Sequence, residues 1–355
     1  MQNITFQVQR DKLADTRLIS SDISPLQPGQ VLLKIDQFAL TANNITYGVV
    51  GDQMGYWHFF PAEDHWGILP VWGLADVVKS QNEKVAVGER FYGYYPMSEY
   101  LVVKAANVNA YGFLDVSAHR KALPLLYNRY SNVAQEAAYA NSSAALQMIF
   151  RPLFITAFLL DDMLLAQDLF QAKQVVLTSA SSKTAFTLAL LLARHAERDF
   201  KIIGFTSKRN VGFVNGLDCY DTVIEYENLN ELSDILTVIV DFSGNRGVLL
   251  SLQKRLANHL KFTSKVGMVH HDQRDGDGEV KGEFFFAPAY AEQRLKDWTA
   301  AGFQERSGAA WQHFLAVGGN WLTINKTLGL ANLDSIYQKV LNGTADAKIG
   351  QIVRV

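Results

Sequence analysis

The sequence contains almost no cysteine and no excess of charge. Cys219 is the only cysteine among 355 residues, which excludes an intramolecular disulfide and a structural zinc site built from several thiolates. Thirty-three Lys and Arg residues against 35 Asp and Glu residues leave a formal charge of -2. Nucleic-acid binding relies on a basic surface that displaces counterions from phosphates. We therefore expect no nucleic-acid partner and no polybasic membrane contact.

Long hydrophobic runs are also missing. The most apolar region, 148–165, is interrupted by Arg151, Pro152, Asp161 and Asp162, whereas a bilayer-spanning helix needs about 20 apolar residues in succession. Residues 1–12 are polar and alternating and lack the basic start and apolar core of a secretory signal. These features predict no membrane segment and a cytoplasmic location.

The predicted secondary structure changes along the chain. Residues 1–100 are strand-like and punctuated by turns, and 133–150 and 154–170 are helical in pattern. From Gln174 onward, short apolar strands (175–177, 201–205, 238–241, 261–266) alternate with helical stretches (184–194, 209–215, 247–257). This alternation is typical of βαβ units on a parallel sheet, which binds ligands at the carboxyl ends of its strands where the strand order reverses.

The remaining sequence completes a two-domain plan. Helices are predicted at 288–301, 309–315 and 333–341, and strands at 321–325 and 349–355. A length of 355 residues suits two domains at about 150 residues each. We predict that residues 1–145 and 310–355 form one domain and that 146–309 form the other, so that the end of the chain returns to the first domain.

The first βα turn of the predicted sheet, residues 179–185, is the most informative segment. A dinucleotide-binding turn usually has glycine at three positions, and Ser179, Ser182 and Ala185 stand there instead. The N-terminus of the following helix still offers free N–H groups to an anion, and hydroxyl and ammonium groups add donors. The predicted phosphate ligands are Ser179, Ser181, Ser182, Lys183 and Thr184. The alternative is a serine that merely caps a core helix.

A second alternative is a P-loop. Ser182-Lys183-Thr184 resembles the end of that motif, and Asp241 would then be its magnesium-binding aspartate. The P-loop needs glycine at the positions that Leu177 and Ser182 occupy. The turn alone leaves this alternative open.

The end of the second predicted strand indicates which dinucleotide fits. An NAD-specific fold carries an acidic residue here for the ribose 2'-hydroxyl, but the residues present are Thr206, Ser207, Lys208 and Arg209. Two cations and two hydroxyls suit a 2'-phosphate. The segment therefore favours NADP(H) over NAD(H). The alternative is a pair of basic residues in the first turn of a surface helix.

Four motifs in the first and last parts of the chain resemble the medium-chain dehydrogenase/reductase superfamily. They are the Pro28-Gly29 turn before an apolar strand, Pro70-Val71-Trp72-Gly73 before a strand with a valine pair, the Val87-Gly88-Glu89-Arg90 turn, and the segment 341–353. The resemblance implies an α/β fold, with a chaperonin-10-like β-rich catalytic domain and a doubly wound Rossmann domain with a parallel sheet. Cys219 matches neither zinc site of that superfamily, so the chain is similar to the zinc-independent branch of quinone oxidoreductases and enoyl reductases, as a divergent family within it.

The resemblance also implies site residues. In 41–47, Asn44 and Tyr47 resemble the asparagine and tyrosine that face the nicotinamide pocket; a turn with a buried tyrosine is the alternative. Tyr226 resembles the tyrosine near the adenosine phosphate. Two later strand ends, which carry Ser243, Gly267 and Met268, are expected to meet the ribose and the nicotinamide. A homodimer is implied as well.

The predicted function is that of an NADPH-dependent, zinc-free oxidoreductase that reduces an activated carbonyl, enone or quinone by hydride transfer. The small-molecule substrate would lie near the aromatic residues of 54–72, which otherwise form a satellite core. Arg129 is a candidate anion ligand, and the alternative is that it lies on the surface of a helix. The alternative function is an NADP-binding sensor or interaction protein of the same fold without redox turnover. A hydrolase built on His270-His271-Asp272 is disfavoured because the chain has no Gly-x-Ser-x-Gly elbow.

Overall fold

The computed structural model describes residues 1–135, 144–266, 280–318 and 320–355. They form two compact units. The barrel unit comprises Met1–Ile149 and Thr323–Val355, and the sheet unit comprises Phe150–Leu322. The sequence placed the corresponding boundaries after residues 145 and 309.

The described strands and helices are as follows in chain order. The strands are β1 Gln2–Gln9, β2 Thr16–Asp22, β3 Gln30–Leu40, β4 Trp66–Gly67, β5 Pro70–Ser80, β6 Arg90–Pro96, β7 Tyr100–Asn109, β8 Gly112–Asp115, β9 Arg129–Asn132, β10 Gln174–Leu177, β11 Lys201–Thr206, β12 Thr222–Glu225, β13 Thr237–Asp241, β14 Leu260–Lys265, β15 Glu283–Phe284, β16 Thr323–Leu328 and β17 Ile349–Arg354. The α-helices are α1 Ala42–Val49, α2 Ala144–Ala166, α3 Lys183–Ala193, α4 Val211–Asn215, α5 Arg246–Leu256, α6 Ala287–Gly318 and α7 Leu333–Leu341.

The barrel unit is built around a closed sheet. Its strands are ordered β16-β17-β3-β5-β6-β9-β8-β7, and β7 also pairs with β3. This second pairing closes β3, β5, β6, β9, β8 and β7 into a barrel. Alternating residues of β3, such as Val31, Leu33 and Ile35, are fully buried in its core with Phe91 and Tyr130. A separate antiparallel sheet has the order β2-β1-β4.

The sheet unit contains six strands in the order β12-β11-β10-β13-β14-β15, and every neighbouring pair is parallel. The chain runs from β10 outward to β12 and then crosses to β13, so the strand order reverses between β10 and β13. All residues of β10 and β13 are buried, as expected for strands covered on both faces. The predicted α/β class, with a β-rich unit and a doubly wound parallel-sheet unit, is confirmed.

Two helical predictions differ from the structure in their boundaries. Two helices were expected at 288–301 and 309–315, and α6 consists of two helical segments, but they meet at a kink at Thr299 rather than between 301 and 309. Gly302 and Gly308 lie inside the second segment, because a single glycine weakens a helix by only about 1 kcal/mol and does not end it. Residues 144–166 form one helix, α2, which contains Pro152, where a proline removes one backbone hydrogen bond.

Within the described ranges, no helix combines the length and the hydropathy that crossing a membrane would require.

Candidate functional site

The carboxyl ends of β10 and β13 are neighbours at the point where the strand order of the sheet unit reverses. Val175 of β10 pairs with Val238 of β13 on one side and with Ile202 of β11 on the other. The residues that follow these strands therefore meet at one edge of the sheet. Open parallel sheets bind their ligands at this place.

One residue of the serine-rich turn after β10, Ser179, takes a backbone conformation that glycine favours. Ser179 has a φ of 50°, in the left-handed region that glycine adopts without strain. The turn is closed by a hydrogen bond from the Ser182 N–H to the Ser179 carbonyl (2.7 Å). Ser182 is also the N-cap of α3, and its hydroxyl accepts from the Ala185 N–H at 3.4 Å. Lys183 and Thr184 occupy the first turn of that helix.

The hydroxyl of Tyr226 is bonded to this turn. It accepts a hydrogen bond from the Ser179 N–H at 2.9 Å, and the Tyr226 N–H donates to the Thr206 carbonyl at 3.0 Å. Burial raises the pKa of Tyr226 to about 12, against the opposing effect of the bond from Ser179. The phenol is therefore neutral at physiological pH, and three predicted site residues are joined directly.

A second contact links the serine-rich turn to the end of β11. The side-chain amide of Asn210 donates to the hydroxyls of Ser181 (3.0 Å) and Ser207 (3.2 Å). Lys208 and Arg209 lie in the same short 3₁₀ turn, Lys208–Asn210, and both side chains are exposed. The structure thus brings together hydroxyls and cations from two strand ends.

The bridging role of Asn210 was not predicted from the sequence. Its hydrogen-bond partners lie 29 and three residues away, and no local sequence pattern identifies it.

A buried carboxylate connects the ends of β10 and β13. Asp241 accepts hydrogen bonds from the hydroxyls of Thr178 (2.5 Å) and Ser243 (2.7 Å) and from the Ser243 and Gly244 N–H groups. The Thr178 oxygen in turn accepts from the Phe242 and Ser243 N–H groups. Burial raises the pKa of Asp241, and these hydrogen bonds oppose the rise. The carboxylate is occupied by protein donors, so it does not serve the P-loop alternative as a free magnesium ligand.

Two predicted cofactor ligands, Gly267 and Met268, lie outside the described residues, as does His270-His271-Asp272. In the described part of the chain, no three His, Cys, Asp or Glu side chains are grouped as metal ligands would be.

In the barrel unit, the Tyr47 hydroxyl is held by two nitrogen donors. Asn43 donates to it from one turn earlier in α1 at 2.7 Å, and the Trp72 indole donates from β5 at 3.4 Å. Tyr47 is buried. Burial raises its pKa, while the hydrogen bonds from Trp72 and Asn43 act to lower it.

The amide of Asn44 is engaged elsewhere. Its oxygen accepts from the Thr41 N–H at 2.7 Å and its nitrogen donates to the Pro70 carbonyl at 2.9 Å. The first bond caps α1, and the second ties α1 to β5. Asn43 and Asn44 lie four and three residues before Tyr47, so both share its face of the helix. Only the Asn43 amide bonds the Tyr47 hydroxyl, because the Asn44 amide is occupied by Thr41 and Pro70.

An aromatic cluster surrounds Tyr47. The ring centroids of Tyr56 and Tyr94 lie 4.5 and 5.6 Å from that of Tyr47, and the hydroxyls of Tyr56 and Tyr127 are 3.1 Å apart. We call Tyr47, Tyr56, Phe59, Trp72, Tyr94 and Tyr127 the aromatic cluster; all six are buried. Burial raises the pKa of the Tyr56, Tyr94 and Tyr127 phenols, which are therefore neutral hydrogen-bonding groups.

A buried arginine borders this cluster. Arg120 is 1% exposed, its Nε lies 3.2 Å from a carboxylate oxygen of Asp115, and its Nη1 donates to the Tyr127 carbonyl at 3.2 Å. Its guanidinium also lies over the Phe59 and Phe60 rings, 5.5 and 4.7 Å from their centroids. Arg129, the arginine that the sequence singled out, is exposed.

Comparison with solved structures identifies the fold. CurA from Vibrio vulnificus, solved in complex with NADPH, matches with a TM-score of 0.62 at 13% identity, over 99% of each chain. The quinone oxidoreductase from Coxiella burnetii matches with a TM-score of 0.57 at 13% identity over 100% of both chains. S. aureus TarJ in complex with NADPH matches with a TM-score of 0.58 at 10% identity, over 100% of this chain and 99% of TarJ. The chain therefore shares the fold of these three proteins, as the resemblance to the medium-chain dehydrogenase/reductase superfamily implied.

Sequence comparison places the chain more narrowly. No curated protein sequence matches it. A family model, described as "Protein of unknown function (DUF2855)", matches residues 38–346, which include most of both units. The chain thus belongs to the DUF2855 family, and its fold is shared with CurA and TarJ.

Proposed function

We propose that this protein is an NADPH-dependent oxidoreductase that reduces an activated carbonyl, enone or quinone without a catalytic zinc ion. The observation that carries the proposal is the turn after β10, where Ser179 takes a left-handed conformation beside the N-terminus of α3. A serine in the conformation of a glycine keeps the backbone in the shape that a pyrophosphate requires. The likeness to CurA and TarJ, both solved with NADPH, supports the same cofactor.

The residues present suit the parts of NADPH. The pyrophosphate would be held at the N-terminus of α3 by backbone N–H groups and by Ser179, Ser181, Ser182, Lys183 and Thr184. The 2'-phosphate would be held at the end of β11 and β12 by Thr206, Ser207, Lys208, Arg209 and Tyr226. Lys208 and Arg209 are exposed at that end, where charge-assisted hydrogen bonds favour a phosphate over a hydroxyl. Ser243, Gly267 and Met268 remain the proposed contacts for the ribose and nicotinamide.

Tyr47 is the proposed catalytic residue. NADPH supplies the hydride, and the protein must then stabilise the negative charge that develops on the substrate oxygen. A neutral phenol can donate a hydrogen bond to that oxygen and then deliver its proton. The rings of the aromatic cluster provide an apolar surface for an unsaturated substrate. Asn44 acts indirectly in this proposal, because both ends of its amide hold the backbone around α1.

The test has two stages. Fluorescence titration with NADPH and NADH should show tighter binding of NADPH, and absence of binding by both cofactors would refute the proposal. Turnover is then measured as NADPH oxidation with a panel of quinones, enones and aldehydes. Steady oxidation establishes the reductase. If the protein binds NADPH but none of these substrates causes NADPH oxidation, the result favours the alternative, an NADP-binding sensor or interaction protein.

We also propose that the protein is a cytoplasmic homodimer. The parallel sheet ends at β15, a strand of two exposed residues, Glu283 and Phe284. Among the described residues, no strand covers its outer edge, and a second copy can extend the sheet there. Light scattering should give twice the 39.6 kDa chain mass, whereas the mass of one chain would refute the dimer.

A further inference from the structure

We propose that Asn43 and Trp72 are positioning residues that hold the Tyr47 hydroxyl ready to donate its proton to the substrate. The proposal rests on the proposed reductase function, since it gives that hydroxyl a substrate oxygen as its acceptor. Neither residue belongs to the nucleotide-binding turn. Each acts through Tyr47.

The first argument is the direction of the two hydrogen bonds. A phenol oxygen accepts through its lone pairs and carries one hydrogen to donate. The Asn43 amide at 2.7 Å and the Trp72 indole at 3.4 Å can only donate to it through their nitrogens. With its lone pairs facing these two donors, the Tyr47 oxygen must direct its own hydrogen elsewhere.

The second argument is that the two donors come from different elements. Asn43 lies one turn before Tyr47 on α1, and Trp72 lies on β5. The Trp72 ring is stacked on Tyr92 at 5.4 Å with an interplanar angle of 15°, which fixes the direction of its indole N–H. A helix and a strand together therefore fix the position of one oxygen, and a positioned donor needs little reorganisation when charge develops on the substrate.

The third argument is electrostatic. The titratable groups that face Tyr47 are the phenols of Tyr56, Tyr94 and Tyr127, which are neutral at physiological pH. In these buried surroundings a phenolate is disfavoured. The N–H dipoles of Asn43 and Trp72 point their positive ends at the oxygen and offset part of that penalty. They make the hydroxyl a stronger hydrogen-bond donor than an isolated buried tyrosine.

The experiment measures the acidity of this one phenol without any turnover. 3,5-Difluorotyrosine is incorporated at position 47 of the full-length chain, which lowers the titration range of the phenol, and its ionisation is followed by fluorine NMR. Asn43→Ala and Trp72→Phe should each raise its pKa by about half a unit or more, as expected for loss of one hydrogen bond. Thr46→Ala on the same helix and Trp57→Phe in the same unit are matched controls that should leave it unchanged.

The outcomes separate this proposal from the proposed function. An unchanged pKa in both variants would overturn the positioning role, whether or not the wild-type protein oxidises NADPH. A raised pKa in both, with a fall in kcat and a nearly constant KM, supports it. A raised pKa in a protein that oxidises no NADPH shows that the two residues hold the hydroxyl but overturns its role as a proton donor to substrate, together with the reductase function.

Discussion

The backbone N–H of Ser179 donates a hydrogen bond to the hydroxyl of Tyr226 over 2.9 Å. The two residues lie 47 positions apart and follow β10 and β12, which are separated in the sheet by β11. The bond connects the serine-rich turn after β10 to Tyr226 at the end of β12, which belongs to the proposed 2'-phosphate site. Changes at Tyr226 should therefore affect both the stability of the sheet unit and the affinity for NADPH.

The first prediction concerns the pH dependence of stability at Tyr226. Tyr226→Phe should lower the free energy of unfolding by about 1 kcal/mol at neutral pH, because the Ser179 N–H loses its partner. Burial disfavours the phenolate and raises the folded-state pKa to about 12 from the ordinary value of 10.0, so the stability advantage of wild type over Tyr226→Phe should persist up to about pH 10 and be lost as the phenol ionises toward pH 12. Urea denaturation of both proteins across this range measures the difference. Tyr111→Phe, at an exposed position, is the control and should be neutral throughout.

The second prediction concerns cofactor selectivity. Arg209→Ala should weaken NADPH binding roughly ten-fold or more, the value of one charge-assisted hydrogen bond to a phosphate, and should leave NADH binding nearly unchanged. Fluorescence titration gives both dissociation constants. Lys254→Ala, which removes an exposed cation from α5, is the matched control. Equal loss of affinity for the two cofactors would show that Arg209 does not contact the 2'-phosphate.

The third prediction concerns the backbone of the turn. Ser179 has a φ of 50°, which glycine adopts freely and a β-branched residue rarely adopts. Ser179→Gly should keep both the stability and the affinity for NADPH, whereas Ser179→Val should lower the unfolding free energy by about 1–3 kcal/mol. Thermal and chemical denaturation distinguish the two. Equal stability of the valine and glycine variants would contradict the left-handed conformation.

The fourth prediction concerns the buried ion pair of the barrel unit. Arg120→Met leaves the Asp115 carboxylate buried without its cation and should cost about 3–5 kcal/mol of stability. The double variant Asp115→Asn/Arg120→Met should recover part of this loss, because the asparagine oxygen can still accept from the Lys104 and Ser117 N–H groups. A double-mutant cycle measured by urea denaturation checks it. Additive effects of the two single changes would argue against the pair, and Arg129→Ala should be nearly neutral because that side chain is exposed.

The fifth prediction concerns catalysis. Tyr47→Phe keeps the ring within the aromatic cluster but removes the proposed donor, so kcat should fall by about 10²-fold or more while the dissociation constant for NADPH stays the same. Steady-state kinetics and cofactor titration measure the two quantities. Tyr337→Phe removes a different buried hydroxyl, bonded to the Leu13 carbonyl, and should change stability but not kcat. Equal kcat values for wild type and Tyr47→Phe would exclude Tyr47 as the donor.

The sequence did not identify which of Asn43 and Asn44 contacts the Tyr47 hydroxyl. Both precede Tyr47 within one helical turn, and the resemblance favoured Asn44. The helix begins after Thr41, so Asn44 is its third residue and its side chain completes the capping box with Thr41. Both asparagines share the face of Tyr47, and the start of the helix decides that the Asn44 amide serves the cap while the Asn43 amide bonds the phenol. No sequence pattern identified Arg120 as a buried residue, because its contacts with the Phe59 and Phe60 rings form only when the barrel folds.

The sequence alone determined the class of the protein. Its apolar strands alternating with helices specified a parallel sheet, because strands buried on both faces must be continuously apolar. The ordered turn motifs specified the reductase fold, and Lys208 and Arg209 indicated NADP(H). The tertiary structure decided which polar groups meet: Tyr226 with Ser179, Asn210 with Ser181, and Trp72 with Tyr47. These contacts join residues 25 to 47 positions apart, and their geometry depends on strand order and packing, which no local pattern records.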